Sequence, residues 1–564
     1  MKPAAYRGSA ILWRVALLAI VLLALAARLV PGERTIDDAY ITFRYARNLL
    51  AGEGFVYNPG ERVQGTTTPL YTLLLAGEKG ILKRASLPTL ALVTNALADA
   101  ASVALLAWLG QRALKAPVLG LVAGLLWALS PMSVTFSIGG METSVYVLLL
   151  LLTVASYAAG RSRWSAFCCA LATLTRPDAL LLAVPLFGHM AWEQLYRGAG
   201  SHRGMGMPRP RRQDKATVEP WEGHPHAAVR RLPWQEATIY VLTLAPWLFF
   251  ATLTFGSPLA HSVVAKSAAY RLEPYSALVR LIQHYATPFF EHETLGTGWV
   301  AVGAVLYLFL SLLGGLAMVR RADPSGGGRL LPLVVYPWLY FLAFSLYNPL
   351  LFRWYLAPIL PMYTLCILYG AHRLVHDLAR AVRRQSAAAR PAAAGRGARI
   401  VEGLLAMTAL GMLLNAWTLH PDHGPHRPAP EMAWFKLELL YRRVALDLLA
   451  GQPITPGTRI AAGDIGAIGY YSGARILDTV GLISPEAVGY YPLSEEAYVI
   501  AYAVSSDLIL AEQPDYLIVL EVYVRNTLLR SAAFGQEYEL YRKWPTDIYG
   551  SNGLLVFRRR AGSS

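Results

Sequence analysis

The sequence predicts an α-helical polytopic membrane protein of about eleven spans that carries a C-terminal extracytoplasmic α/β domain. Three observations lead there. Of 564 residues, 55% are hydrophobic and 15% charged, where soluble chains run nearer a quarter charged, and the mean hydropathy is +0.37. Apolar runs of membrane-crossing length recur through the first three quarters. The composition then changes after Pro421, where apolar runs shorten to strand length.

Taken in order, the expected spans lie near 11–30, 88–110, 117–136, 143–160, 164–175, 178–195, 235–255, 299–319, 330–347, 354–372 and 400–419. Ala24-Leu25-Ala26 at the end of the first resembles a cleavage site, but the many spans that follow make an uncleaved helix the better reading. The first outer loop, 31–87, opens on Asp37-Asp38 and an amphipathic helix ending near Gly52. Tyr57-Asn58-Pro59-Gly60 reads as a tight turn, Pro setting φ and Gly supplying positive φ. A second short helix, 70–82, is expected at the interface. Residues 1–419 thus form the membrane domain and 420–564 one small α/β domain, with strands at Arg459-Ala462, Arg475-Leu477, Tyr516-Leu520 and Leu554-Phe557.

The net charge of +15 does not indicate nucleic acid. Segments 197–234 and 373–399 supply +11 of it, and basic loops of this kind stay in the cytoplasm. Both are rich in Gly, Pro or Ala and read as flexible. Lys2, Arg7 and Arg14 place the N-terminus on the same side. Alternation over eleven spans then puts Asp37, Asp38, Glu142, Arg176, Asp178, His261, Lys266 and Arg353 on the outer face of a cell inner or plasma membrane. A transporter would carry polar groups near the bilayer midplane; here they gather at one surface, as an enzyme at the outer leaflet needs.

The cysteines, Cys168, Cys169 and Cys366, form no metal or disulfide pattern. His420, His423 and His426 beside Asp422 have ligand-like spacing, yet Pro421 and Pro425 make an irregular linker the better reading. Neither a P-loop nor a dinucleotide-binding glycine pattern is present. No metal and no cofactor is expected to be required. Gly120 and Gly124 are read as a close helix contact.

Asp37-Asp38-Ala39-Tyr40-Ile41-Thr42-Phe43-Arg44-Tyr45-Ala46-Arg47-Asn48, followed by Gly54-Phe55-Val56-Tyr57-Asn58-Pro59-Gly60-Glu61, resembles the first outer loop of GT-C glycosyltransferases, above all the terminal arabinofuranosyltransferases of actinobacterial cell walls. Gly140-Met141-Glu142-Thr143, Thr175-Arg176-Pro177-Asp178, Gly256-Ser257-Pro258 before Lys266, and Arg353-Trp354-Tyr355-Leu356 follow in the same order. Where those relatives often carry an aromatic residue and Asn after the turn, this chain has Gly65-Thr66-Thr67-Thr68, so acceptor and sugar stay open.

The resemblance implies transfer of a sugar from a polyprenyl-phosphate donor to a hydroxyl of a glycan, lipid or protein acceptor, with inversion. It makes Asp37 the general base and Asp38 its neighbour; spacing alone does not rank the two. Arg353, Lys266 and Arg176 are expected at the donor phosphate, since a guanidinium grips phosphate in a bidentate fork. Tyr40, Arg44, Glu142 and His261 complete the expected substrate contacts. Bland readings stand beside these: a helix cap for Asp37/Asp38 and for Glu142, a headgroup anchor for Arg353, and an ion pair across Pro177 for Arg176 and Asp178. Two other functions compete, a transporter or flippase of lipid-linked glycans and a non-catalytic glycan-binding membrane protein.

Overall fold

The computed structural model describes residues 4–200, 232–290, 294–320, 327–385, 391–418, 427–433 and 435–560. Among the described residues, sixteen α-helices precede the first strand. They are α1 (Ala4–Leu29), α2 (Asp37–Leu50), α3 (Pro69–Ile81), α4 (Leu87–Trp108), α5 (Pro117–Leu129), α6 (Pro131–Ile138), α7 (Thr143–Ala158) and α8 (Ser162–Thr175). Then come α9 (Leu180–Gly200), α10 (Trp234–Phe255), α11 (His261–Ala269), α12 (Ser276–Ala286), α13 (Thr297–Val319), α14 (Leu331–Tyr347), α15 (Leu360–Gln385) and α16 (Pro391–Asn415).

The expectation of eleven spans is not met. Among the described residues, six helices are long and apolar enough to cross a membrane: Ala10–Leu29, Leu87–Ala113, Trp234–Phe255, Thr297–Val319, Gly328–Tyr347 and Gly397–Asn415. A seventh counts if α5 and α6 are one span, bent by 49°. The reasons are local. Pro131 has no N–H to continue α5, so the third expected run breaks there. The 16 residues of α7 and 14 of α8 rise only about 24 and 21 Å, short of the roughly 30 Å hydrocarbon core. Beyond Gly370, α15 carries Arg373, Asp377 and Arg380. Alternation over eleven spans therefore does not assign sides in this chain.

The 373–399 segment also differs from expectation. Rather than a flexible loop, it continues α15 to Gln385 and starts α16 at Pro391. Ala and Arg are strong helix formers, and Pro at the first helical position loses no hydrogen bond. Most of the other basic segment, 201–231, and His420, His423 and His426 lie outside the described residues.

Inside the bundle, Arg28 and Asp99 form an ion pair with no solvent exposure, Nε to Oδ2 at 2.8 Å. Arg28 also donates to the Ala24 and Ala128 carbonyls and to Ser133, while Asp99 accepts from Trp127 and Ser144. Every nitrogen of the guanidinium and both oxygens of the carboxylate thus have a partner, the condition for burying them. At Gly120, a Cβ would stand 2.8 Å from the Ala107 carbonyl and 2.9 Å from Gly110 Cα, so the expected small-residue contact holds α4 close to α5.

After α16 the chain makes a short ribbon, β1 (Trp417–Thr418) against β2 (Ala429–Pro430), and then α17 (Lys436–Gly451). The C-terminal sheet follows: β3 (Arg459–Ala462), β4 (Arg475–Asp478), β5 (Tyr516–Leu520), β6 (Tyr538–Trp544) and β7 (Leu554–Arg559), in the order β4-β3-β5-β7-β6. β3 pairs in parallel with β4 and β5; β7 is antiparallel to β5 and β6. Parallel neighbours need a crossover, and between β3 and β4 it is α18 (Gly466–Ser472). The helices α19 (Ser506–Glu512) and α20 (Ala532–Glu537) complete this part. Its core is Ile460, Leu477, Leu517, Leu520 and Val556, each at most 1% exposed. All four expected strands are present. β6 has no apolar run, only its ends Tyr538 and Trp544 being buried, and the sequence reading passes over it.

Candidate active site

The crossover α18 packs on α2, and Asp37 makes the joint. The residue preceding α2 is Ile36, and no side chain caps that helix. Asp37 instead caps the crossover: its Oδ2 accepts the Gly466 N–H at 2.8 Å and its Oδ1 the Ala467 N–H at 2.7 Å. These are first-turn donors with no partner inside their own helix. The approach is so close that a Cβ on Gly466 would lie 1.8 Å from the Asp37 carbonyl oxygen.

More acids surround the joint. The Asp37 N–H donates to Glu438 Oε1 at 3.4 Å, and the Tyr441 hydroxyl donates to Asp464. Burial raises the Asp37 carboxyl well above its ordinary range; Asp464 and Asp38 add to the rise, and the Ala467 and Gly466 N–H groups oppose it. Burial likewise pushes Glu438 to about 7 and Asp464 to about 6.

Arg44 and Tyr40, expected at the substrate, lie on this same seam. Arg44, 1% exposed, donates to the carbonyls of Tyr57, Gly469 and Ala474 at 2.9, 2.6 and 2.7 Å. The Tyr40 and Tyr471 hydroxyls are 3.0 Å apart. Asn58 of the expected turn bonds both backbone groups of Ile476, closing the edge of β4. The turn itself has Glu61 N–H donating to the Asn58 carbonyl at 3.1 Å, with Gly60 at φ +85°, as Pro59-Gly60 requires. Helix α2 therefore turns one flank to the C-terminal domain.

Its other flank borders a cavity of about 470 Å³. Asp38, Thr42, the Gly65–Thr68 segment, Glu142, Arg176, Asp178, Lys266 and Tyr355 line it. Lys266 Nζ stands 4.0 Å from Asp38 Oδ2 and 5.0 Å from the centre of the Phe352 ring. Both Asp38 and Lys266 keep about a third of the side chain accessible, 34% and 27%. Arg176 is held differently: it bonds Glu142 Oε1 at 3.0 Å and Asp178 Oδ1 at 3.1 Å, with its guanidinium over the Tyr355 ring at 4.5 Å. The expected ion pair across Pro177 is present, joined by Glu142. Thr42, Thr66 and Thr68 form a hydroxyl chain at 3.3 and 3.0 Å.

Arg353 does not line this cavity. It is exposed and faces a neighbouring space of about 150 Å³ with Arg280, Gln283 and His284. His261 precedes the cavity-lining Ser262 and donates its backbone N–H to the Gln64 carbonyl at 2.9 Å. Sequence reasoning missed Glu438, Gly466 and Tyr355. Gly466 lies in the glycine-rich run Gly463-Asp464-Ile465-Gly466, whose only local signal is backbone freedom; Glu438, on an ordinary charged helix, gives no signal at all.

Residues 437–560 match a family described as a domain of unknown function (DUF8728). No curated protein matches the chain. Among solved structures, ArnT from Cupriavidus metallidurans bound to undecaprenyl phosphate is similar at TM-score 0.54 and 11% identity, over 98% of this chain and 98% of that one. The apo form of ArnT gives 0.54 and 12%, over 98% and 99%. The arabinofuranosyltransferase AftD from Mycobacteria gives 0.45 and 15%, over 97% of this chain and 41% of that chain. At such identities the ArnT likeness is one of fold, and it runs from end to end: this chain is similar to ArnT in its overall fold.

Proposed function

We propose that the chain transfers a sugar from a polyprenyl-phosphate donor to an acceptor hydroxyl at the outer face of the membrane, with Asp38 as the general base. The observation that carries this reading is the split of the Asp pair. Asp37 is engaged by two backbone N–H groups of α18, whereas Asp38 looks into the cavity beside Lys266. A base must reach the proton it removes, so the roles are the reverse of those implied by the family resemblance. Asp37 acts as a positioning residue that seats α2.

In the reaction, Asp38 takes the proton of the acceptor hydroxyl as its oxygen bonds to the anomeric carbon. The bond from that carbon to the phosphate oxygen breaks, and the polyprenyl phosphate leaves beside Lys266, whose charge offsets the growing negative charge. Glu142 and Asp178 both hold Arg176. That leaves Asp38 as the accessible carboxylate, which favours a single displacement with inversion over a covalent intermediate. Arg176 gives the cavity wall its shape, and Arg353 is assigned away from the leaving group. The ArnT structure, with undecaprenyl phosphate bound in the same fold, supports the donor class. Arabinofuranose enters through the first-loop resemblance and is one sugar to assay.

The test is consumption of lipid-phosphate sugars by the purified protein in lipid nanodiscs, read as release of polyprenyl phosphate. Asp38→Asn should slow transfer by about 10²–10⁴, and Lys266→Ala by about 10²–10³. Undiminished transfer by Asp38→Asn ends this reading. Labelling a cysteine placed in the C-terminal domain from outside intact cells tests the side.

A further inference from the structure

His372 and His376 stand one turn apart on α15, and Glu402 of α16 reaches across to both. Glu402 Oε1 lies 2.7 Å from His372 Nδ1 and 3.1 Å from His376 Nε2. One donor atom from each residue lies within 4.8 Å of the other two, and the imidazole centres are 4.5 Å apart. The three side chains are 28–34% exposed, so a small ion can reach them. The group sits about 18–24 Å along α15 from Leu360, well away from the cavity bordered by Asp38 and Tyr355.

Hydrogen bonding alone needs one imidazole for one carboxylate. Here two imidazoles turn their ring nitrogens toward the same oxygen. Arg373 and Arg380, on the same helix as the two histidines, pair with Asp377 at 3.7 and 2.8 Å. Histidines at i and i+4 point to the same side of a helix, the spacing by which a helix presents two nitrogen ligands. Four-coordinate zinc with bonds of about 2.0–2.1 Å has ligand atoms about 3.3 Å from one another. The 3.1 Å separation of His376 from Glu402 is close to that, and the 2.7 Å of His372 is shorter, so a bound ion would move His372 and Glu402 slightly apart.

We propose that His372, His376 and Glu402 bind a divalent transition-metal ion, zinc foremost, with water in the fourth position. Imidazole and carboxylate are the donors that suit this ion. Bound there, it pins α15 to α16 at a distance from the chemistry. The site is independent of the proposed sugar transfer.

The test uses the full chain, purified in detergent through a tag without histidine and stripped with a chelator. After equilibration with zinc and dialysis, metal analysis should find one equivalent. Cobalt(II) should give the visible absorption of a tetrahedral site. Both signals should vanish in the His372→Ala/His376→Ala double variant and persist when His420, His423 and His426 are all changed to Ala. Glu402→Gln, which keeps the side-chain shape, should weaken zinc at least tenfold, and it serves if the double variant aggregates. Absence of the equivalent from the unaltered protein, its survival in the double variant, unchanged affinity in Glu402→Gln, or its loss with the 420–426 histidines would each overturn the proposal.

Discussion

Asp37 accepts the backbone N–H of Gly466 at 2.8 Å across 429 residues of sequence. The carboxylate that begins α2 thereby caps the crossover helix of the C-terminal sheet. The adjacent residue, Asp38, looks into the cavity on the other side of the same helix. One Asp thus joins the two parts of the chain, and its neighbour stands 4.0 Å from Lys266 at the cavity.

Asn substitutions should separate the two. Asp38→Asn should keep the unfolding temperature and lose transfer by about 10²–10⁴. Asp37→Asn leaves one N–H of α18 facing an amide NH₂, which should destabilise the seam by about 1–3 kcal/mol. Thermal unfolding and a lipid-linked sugar assay on both variants read the difference. Loss of transfer in Asp37→Asn with unchanged stability and full activity in Asp38→Asn would return the base to Asp37.

Gly466→Ala tests the same contact from the other side. Its Cβ would meet the Asp37 carbonyl oxygen at 1.8 Å, a separation that forces α2 and α18 apart. Hydrogen exchange should accelerate in α2 and α18 together and leave β5 and β7 protected. Unchanged exchange in α2 would show that the seam tolerates the methyl group.

The seam should also respond to pH. Glu438 and Asp464 are raised by burial to about 7 and about 6, above ordinary carboxyl values near 4. Protons are therefore held more tightly in the docked state. Below about pH 4 both carboxyls are protonated docked or undocked, and the seam is at its strongest. Stability is lost as pH rises through the raised values, and levels off above about 8. Exchange rates in α17 and α18, or susceptibility to proteolysis there, should increase between pH 5 and 8. Glu438→Gln should flatten that profile.

In the bundle, Asp99→Ala would leave the Arg28 guanidinium buried without its carboxylate. Breaking such a pair costs about 3–5 kcal/mol. Unfolding should therefore occur at clearly lower temperature, with most of the loss recovered in the Arg28→Met/Asp99→Leu pair. No recovery would mean that the hydrogen bonds to Ser133, Trp127 and Ser144 matter more than the charges.

Arg353→Ala should leave donor consumption near the normal rate, because Arg353 faces the neighbouring space with Arg280. Lys266→Ala should not. A large loss in donor binding with Arg353→Ala would restore the phosphate role expected from the sequence.

The sequence by itself determined the elements whose signals are local. The amphipathic run after Asp37, the Pro59-Gly60 turn and the apolar strands at 459–462, 475–477, 516–520 and 554–557 all follow from spacing within a few residues. That the chain is built for a bilayer followed from run length and charge. Tertiary structure decided how many of those runs are long enough to span, because a break at Pro131 or a charged turn beyond Gly370 changes the answer without changing hydropathy much. It also decided where each Asp points. Adjacent residues on a helix point about 100° apart, and only the position of α18, brought in from the far end of the chain, tells which direction is the joint and which is the cavity.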